Sequence, residues 1–302
     1  MWVLEAVPVA RRLVLGQEPL LDCELGESPV PIVRHGGSLE GRSKRVKMRR
    51  VSNPRSITRL TERASERAAF EERLSSGERA RFAAYEAEKR RADWLLGRIA
   101  AKSAVRDLLA SEGLPVPDWR GVEIEMADTG APRVVLPGHP DLAVSLTHGH
   151  GQAAAWALRA GPRGGLPGVD LELVRPRKLG ALRFYLHPSE RAWVIALPGS
   201  DPDPDPAGPP RPRDVAAVLL WALKEAAFKA IMPPRGTGLL DVEVELSDPY
   251  DAEEGAAVVR YRGKALSRAK LLGVSGLRSG WTREGELVLA WAEASGASLP
   301  TG

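Results

Sequence analysis

Proline divides this chain more sharply than any other residue. Six prolines fall within residues 199–213, interleaved with Asp, Gly and Arg. Each fixes φ and removes a backbone donor, so the run can pack as neither helix nor strand. Residues 198–213 are therefore predicted to be a mobile surface insertion. Pro233-Pro234 makes a second break. Between the two breaks, residues 214–231 hold no Gly or Pro and form the strongest helix candidate in the chain.

Other elements follow from the same punctuation. Ser75-Ser76-Gly77-Glu78 reads as a helix start, followed by a run rich in Ala, Arg and Glu as far as Arg91. Residues 93–109 continue as an amphipathic helix, which Gly113-Leu114-Pro115 stops. Alternation predicts strands over residues 122–126, 141–146, 152–158 and 168–173. His187-Pro188-Ser189-Glu190 opens a further helix, with Ser189 as its expected cap. Residues 238–294 alternate in a strand-like way, notably at 241–246 and 287–292. Residues 1–60 are atypical: the run RSKRVKMRR at 42–50 reads as a solvated basic arm or as a docking strip for an acidic partner. Three parts result: a basic N-terminal segment 1–60, an α+β half 61–163, and an α+β half 164–302 that carries the insertion.

Length and composition narrow the function. A chain of 302 residues can bury a real core. Cys23 is the single cysteine, so an intramolecular disulfide is impossible and a cysteine-based zinc site is not indicated. No apolar run approaches the roughly 18 residues of a membrane helix. The first residues, with Glu5, Arg11 and Arg12, lack a secretory layout. A cytoplasmic protein with no membrane partner is the expectation. The net charge of +4 favours an anionic partner, whether nucleic acid, phosphorylated cofactor or acidic protein.

Four segments carry chemistry. In Gly168-Val169-Asp170-Leu171-Glu172, strand alternation turns Val169 and Leu171 to the core and projects Asp170 and Glu172 together from the other face. They form either a solvent-facing edge or a pair that needs a cation between them. In Trp221-Ala222-Leu223-Lys224-Glu225-Ala226-Ala227-Phe228-Lys229, the residues Trp221, Glu225 and Lys229 share one helix stripe, as a surface ion pair or as part of a site. Asp170, Glu172 and Glu225 together offer oxygen donors with no His or Cys, which suits a hard cation such as Mg²⁺. Lys229 could then face a phosphate. Ser145-Leu146-Thr147-His148 ends a strand at a Gly turn, where side chains and backbone amides can donate to phosphate or simply cap the turn. On the helix Arg90 to Lys102, Arg98 and Lys102 make a cationic stripe. No GxxxxGK[ST] loop and no GxSxG elbow occurs.

One internal echo stands out. The segment from Trp94 to Lys102 can be laid on that from Trp221 to Lys229, with Leu and Ala recurring at the same offsets. It reads as two similar halves, with Arg98 in one where the other has Glu225, and with a site in the cleft between them.

In combination these segments resemble the surfactin-type 4'-phosphopantetheinyl transferases of the holo-acyl-carrier-protein synthase superfamily. The motifs of that family are matched in order by Gly97 to Lys102, Gly130 to Pro132, Ser145 to His148, Gly168 to Glu172 and Trp221 to Lys229. The resemblance covers roughly residues 74–294. It implies an α+β fold that is a pseudo-dimer of two similar halves, with the active site in the cleft. It implies that Asp170, Glu172 and Glu225 bind Mg²⁺, or Mn²⁺ in its place, and that Lys229 contacts the phosphates of coenzyme A. Arg98, Lys102 and His148 look like further phosphate ligands, with Arg91, Ser145 and Lys224 as additional cofactor contacts. The Gly-x-Pro turn has Ala131 where the family often has Lys or Arg, and Arg133 is the candidate replacement. Glu225 and Lys229 would be catalytic, with Glu225 or a water on the metal as the base. The implied partner is an acidic apo acyl or peptidyl carrier protein of a fatty acid, polyketide or nonribosomal peptide system. A monomer would be the natural unit.

Two rival readings differ in class. A non-catalytic coenzyme A-binding relative would keep the fold without the transfer. A nucleic-acid module would use residues 42–59 and the helix of Arg98, but aromatic residues are 5% of the chain and are not interleaved with the basic run.

Overall fold

The computed structural model describes residues 57–61, 64–198, 210–234 and 236–299. The basic run at 42–50 and the stretch 199–209 of the insertion lie outside them. The first half contains β1 (Thr58–Thr61), α1 (Arg67–Glu72), α2 (Ser76–Ala83), α3 (Glu88–Ser111), β2 (Glu123–Met126), β3 (Pro132–Val135), β4 (Leu142–Gly149) and β5 (Gln152–Arg159). The second contains β6 (Gly165–Leu173), α4 (Leu179–Leu182), α5 (Pro188–Ala196), α6 (Pro212–Ile231), β7 (Val242–Leu246), β8 (Glu254–Tyr261), α7 (Gly263–Leu271), β9 (Gly276–Glu284) and β10 (Leu287–Ser295). The expected boundary at residue 60 falls inside β1.

The two halves repeat one plan. The second sheet has the order β6-β10-β9-β8-β7, and the first has β1-β5-β4 with β2-β3 as a separate ribbon. Strand for strand the orders correspond, except that the first sheet parts between β4 and β3. In each half a long helix crosses the sheet: α3 on β5 and β4, and α6 on β6 and β10. The fold is an α+β pseudo-dimer. Its halves meet through Trp156 of β5 and Trp291 of β10, fully buried and edge to face with ring centroids 6.1 Å apart.

A buried ion pair anchors each long helix. Ser75 caps α2 in a capping box with Glu78. Lys102 Nζ lies 2.5 Å from Glu78 Oε2 and donates to Arg73 O and Trp119 O, while Glu78 Oε1 accepts from Ile124 N of β2. In the second half Glu190 closes the box of α5, Lys224 Nζ lies 2.7 Å from Glu190 Oε2 and donates to Val242 O, and Glu190 Oε1 accepts from Val244 N of β7. The same helix–helix–strand clamp is built twice. It corrects the register of the internal echo, because Lys102 matches Lys224 and not Lys229. Counted from those lysines, Ser103 stands where the second half has Glu225, and Asp107 where it has Lys229. On the strands, Thr58 faces Ala155 as Asp170 faces Ala290. Thr58 donates to Asp107 at 3.0 Å, in the place of the Asp170–Lys229 contact.

Several expectations need correction. The helical run at 76–109 breaks at residues 84–87. His187, not Ser189, caps α5, because Pro188 takes the first helical position and the imidazole accepts from Ser189 N. Residues 263–271 are helical within a stretch read as strands, a short helix whose Ala265 and Ala269 are buried one turn apart. The helix of residues 214–231 begins at Pro212.

Lys102→Met leaves the Glu78 carboxylate in the core without a cation. It is expected to lower unfolding free energy by about 3–5 kcal/mol, measured by urea denaturation.

Candidate active site

α6 rests directly on β6, and Gly168 makes that contact possible. A Cβ at Gly168 would stand 1.8 Å from Ala226 O. Gly168, Asp170 and Glu172 share the strand face that meets the helix. Val169 and Leu171, on the other face, pack between the halves with Trp156 and Ala154. The strand is thus buried on both sides and is not a solvent-facing edge.

Three residues of α6 meet the two strand acids at successive turns. Lys229 Nζ lies 2.7 Å from Asp170 Oδ1 and donates to Val169 O at 3.1 Å. Glu225 lies one turn before Lys229. One turn earlier still, Trp221 Nε1 donates to Glu172 Oε1 at 3.0 Å. Tyr185 braces the Trp221 ring edge-on, centroid to centroid 4.9 Å. Arg177 Nη2 reaches Glu172 Oε2 at 3.5 Å, and Thr147 Oγ1 donates to Asp170 Oδ1 at 3.2 Å. Trp221, Thr147 and Arg177 thus hold the acids, and none was singled out for that task from sequence. The Trp in line with Glu225 and the Thr in Ser-x-Thr-His were the available signals.

Electrostatics mark the three acids as mutually unfavourable. Burial pushes Glu225 above the usual carboxylate range; Lys229 draws it back, and Asp170 and Glu172 push it further up. Burial and the charge of Asp170 raise Glu172 against the hydrogen bond from Trp221 and the charge of Arg177. Asp170 Oδ2 is buried and has no hydrogen-bond partner among the described residues. Among those residues no three His, Cys, Asp or Glu side chains are drawn together as ready metal ligands. Lys229 and Trp221 hold the acids instead. An orphaned carboxylate oxygen, two acids raised by burial and by the charge of Asp170, and an oxygen-only donor set fit a hard divalent cation.

Next to the acids a cavity of about 350 Å³ opens between the halves. Trp94 and Arg98 of α3, the β2–β3 turn with Ala131, Ser145 and His148 of β4, and Phe228 and Lys229 of α6 line it. Lys229 therefore links the cavity to the acids. Arg98 is 5% exposed, stacks over the Trp94 ring at 4.8 Å, and leaves Nη1 unpaired among the described residues. His148 packs its ring against Gly97, where a Cβ would stand 3.0 Å from Cδ2. Partial burial, helped by Lys229, Arg98 and Lys89 and opposed by Asp93, holds its imidazole below the usual range.

Other candidate residues lie elsewhere. Lys102 and Lys224 are fully buried in the structural clamps, so neither offers its ammonium to a ligand. Arg91 donates through Nε and Nη2 to Tyr85 O, and it does not line the cavity. Arg133 pairs with Glu125 in an exposed cross-strand contact; Ala131, not Arg133, reaches the cavity wall. Ser145 lines the cavity, but its Oγ accepts from Val169 N at 3.1 Å and so ties β4 to β6.

The model of the 4'-phosphopantetheinyl transferase superfamily matches residues 167–291, a span holding β6 from Pro167 onward, α6 and all three acids. Among solved structures the chain is similar to a holo-ACP-synthase from Plasmodium yoelii, with 22% identity, 44% of this chain and 94% of that one covered, and a TM-score of 0.33. It is also similar to the holo-[acyl-carrier-protein] synthase of Thermotoga maritima, with 18% identity, 43% and 62% covered, and a TM-score of 0.31. The Helicobacter pylori holo-[acyl-carrier-protein] synthase, solved in complex with coenzyme A, gives 17% identity, 43% and 100% covered, and a TM-score of 0.31. A search of curated proteins found no match. No described helix is long and apolar enough to cross a membrane.

Mg²⁺ is expected to raise the melting temperature, by the equivalent of about 2.7 kcal/mol at a hundredfold excess over Kd. The rise should grow as pH increases through the carboxylate range, because protons compete for Glu225 and Glu172. Trp221→Phe removes the indole N–H together with part of the ring that Tyr185 braces and is expected to weaken metal affinity roughly tenfold.

Proposed function

We propose that this chain transfers the 4'-phosphopantetheine group of coenzyme A to a serine of an apo acyl or peptidyl carrier protein, with release of adenosine 3',5'-bisphosphate. The observation that carries the reading is the Lys229–Asp170 contact. It joins three acids on a strand and a helix to the inner wall of a cleft sized for a small ligand. The superfamily match over that same strand and helix supports it, and the net charge of +4 suits an acidic protein partner.

Asp170, Glu172 and Glu225 would hold Mg²⁺, which when bound neutralises charge on a pyrophosphate. The protein groups divide the remaining work. Lys229 turns from Asp170 to a pyrophosphate oxygen and offsets charge on the leaving bisphosphate nucleotide. Arg98, through its free Nη1, and His148 donate to a further phosphate oxygen. The serine oxygen of the carrier attacks the phosphorus on the pantetheine side, and the bond from that phosphorus to the bridging oxygen breaks. Glu225 is the protein group placed to accept the serine proton. Trp94 and Phe228 supply apolar wall and exclude water.

Incubation with coenzyme A, Mg²⁺ and an apo carrier protein should add the mass of one phosphopantetheine to the carrier. Coenzyme A binding without any such addition, across acyl and peptidyl carriers, would favour a non-catalytic relative. Asp170→Ala is expected to abolish transfer and leave the fold intact, and Lys229→Ala to lower kcat by roughly 10²–10³-fold. Coenzyme A affinity should strengthen as pH falls through the imidazole range. The pKa of His148, held low in the free protein, rises beside a phosphate, so binding takes up a proton. His148→Ala should flatten that dependence, read by calorimetry in two buffers of different ionisation heat.

A further inference from the structure

A second cationic cluster lies at the other end of α6 from the cavity. Arg213 and Lys229 are separated by sixteen helix positions, or roughly 24 Å along the axis. At the N-terminal end Asp214 is the hub, 1% exposed. Its Oδ2 accepts from Arg211 N and Nε at 3.2 and 3.0 Å, its Oδ1 accepts from Arg177 N at 3.2 Å, and Arg213 Nε lies 3.7 Å from that Oδ1. Tyr185 feels the charges of Arg177, Glu172 and Asp214 and so belongs to the same cluster. Two guanidiniums, of Arg211 and Arg213, thus meet the Asp214 carboxylate beside the Arg177 amide, while the Arg177 guanidinium turns to Glu172, a second acid that the strand site also claims.

The donors outnumber their acceptors. Arg177 Nε, Arg211 Nη2, both Nη atoms of Arg213 and the Tyr185 hydroxyl are buried, with no hydrogen-bond partner among the described residues. Arg213 is only 2% exposed. A buried cation whose donors are unmet is strongly unfavourable unless an anion meets it. Arg177 and Arg211 keep 38% and 22% of their side chains exposed, so the cluster has a route to solvent. The helix dipole adds positive potential at this end.

We infer that the start of α6 carries a binding site for a tetrahedral oxyanion of the phosphate class, formed by Arg177, Arg211, Arg213 and the Tyr185 hydroxyl. The number of free donors favours phosphate over a carboxylate, which offers only two oxygens. Guanidinium forks match phosphate oxygens in pairs. The site borders the acids through Arg177 and Tyr185 but lies at the far end of α6 from the cavity, and it does not depend on the proposed transfer reaction.

Inorganic phosphate titrated into the metal-free protein is the test, read by melting temperature and by calorimetry. Wild type and Lys229→Ala should both be stabilised and bind alike. Arg213→Met should lose the response while keeping the fold, because Asp214 retains its hydrogen bonds from Arg211 and Arg177. Tyr185→Phe deletes a single donor and should weaken binding roughly tenfold; it serves as the deciding variant if Arg213→Met does not fold. No phosphate response in wild type, an undiminished response in Arg213→Met or Tyr185→Phe, or loss of the response in Lys229→Ala would overturn the proposal.

Discussion

The approach of α6 to β6 at Gly168 is the constraint on which the candidate site depends. Any side chain there would meet the helix backbone at Ala226. Only with that distance closed can an ammonium on the helix reach a carboxylate on the strand, and an indole two turns away reach the next one. The desolvation that raises Glu225 follows from the same packing. The Lys229 pairing, the grouping of the acids in the proposed cation site and the raised pKa of Glu225 thus have one common geometric cause.

The internal duplication shows what was kept and what diverged. Each half retains the buried lysine, the capping glutamate and the strand amide it holds. That clamp is structural, because it fixes a long helix to the helix before it and the strand after it. At the matching site positions the halves part company: Thr58, Ser103 and Asp107 stand where the second half has Asp170, Glu225 and Lys229. The first half contributes instead a buried arginine stacked on an indole, and an imidazole held low beside Gly97. One half supplies acids and the other cations, and the cavity lies between them.

Much of this was legible in the chain. Alternation of period two located both acids of β6, and helical spacing put Trp221, Glu225 and Lys229 on one stripe. What sequence could not reveal was burial. A lysine in a motif reads the same whether its ammonium faces a phosphate or a buried glutamate, so Lys102 and Lys224 were assigned to a ligand. The echo was misaligned by five residues for a related reason. Tryptophans are conspicuous in a sequence, whereas the true equivalence rests on Lys102 and Lys224, each paired with a glutamate far away in the chain. The helix over residues 263–271 was missed because its small buried residues imitate a weak alternation.

The contact between Trp156 and Trp291 has a different kind of consequence. It is apolar, buried and uncharged, so this contact is indifferent to ionic strength, whereas the exposed Arg59–Glu284 pair across the same join weakens as salt is added. Within the cleft, Arg98, Glu125, His148 and Lys229 are the lining groups that salt can screen. A salt series on this molecule therefore reads charged groups in the cleft and at the rim of the join, while the ring contact at its centre stays as it is.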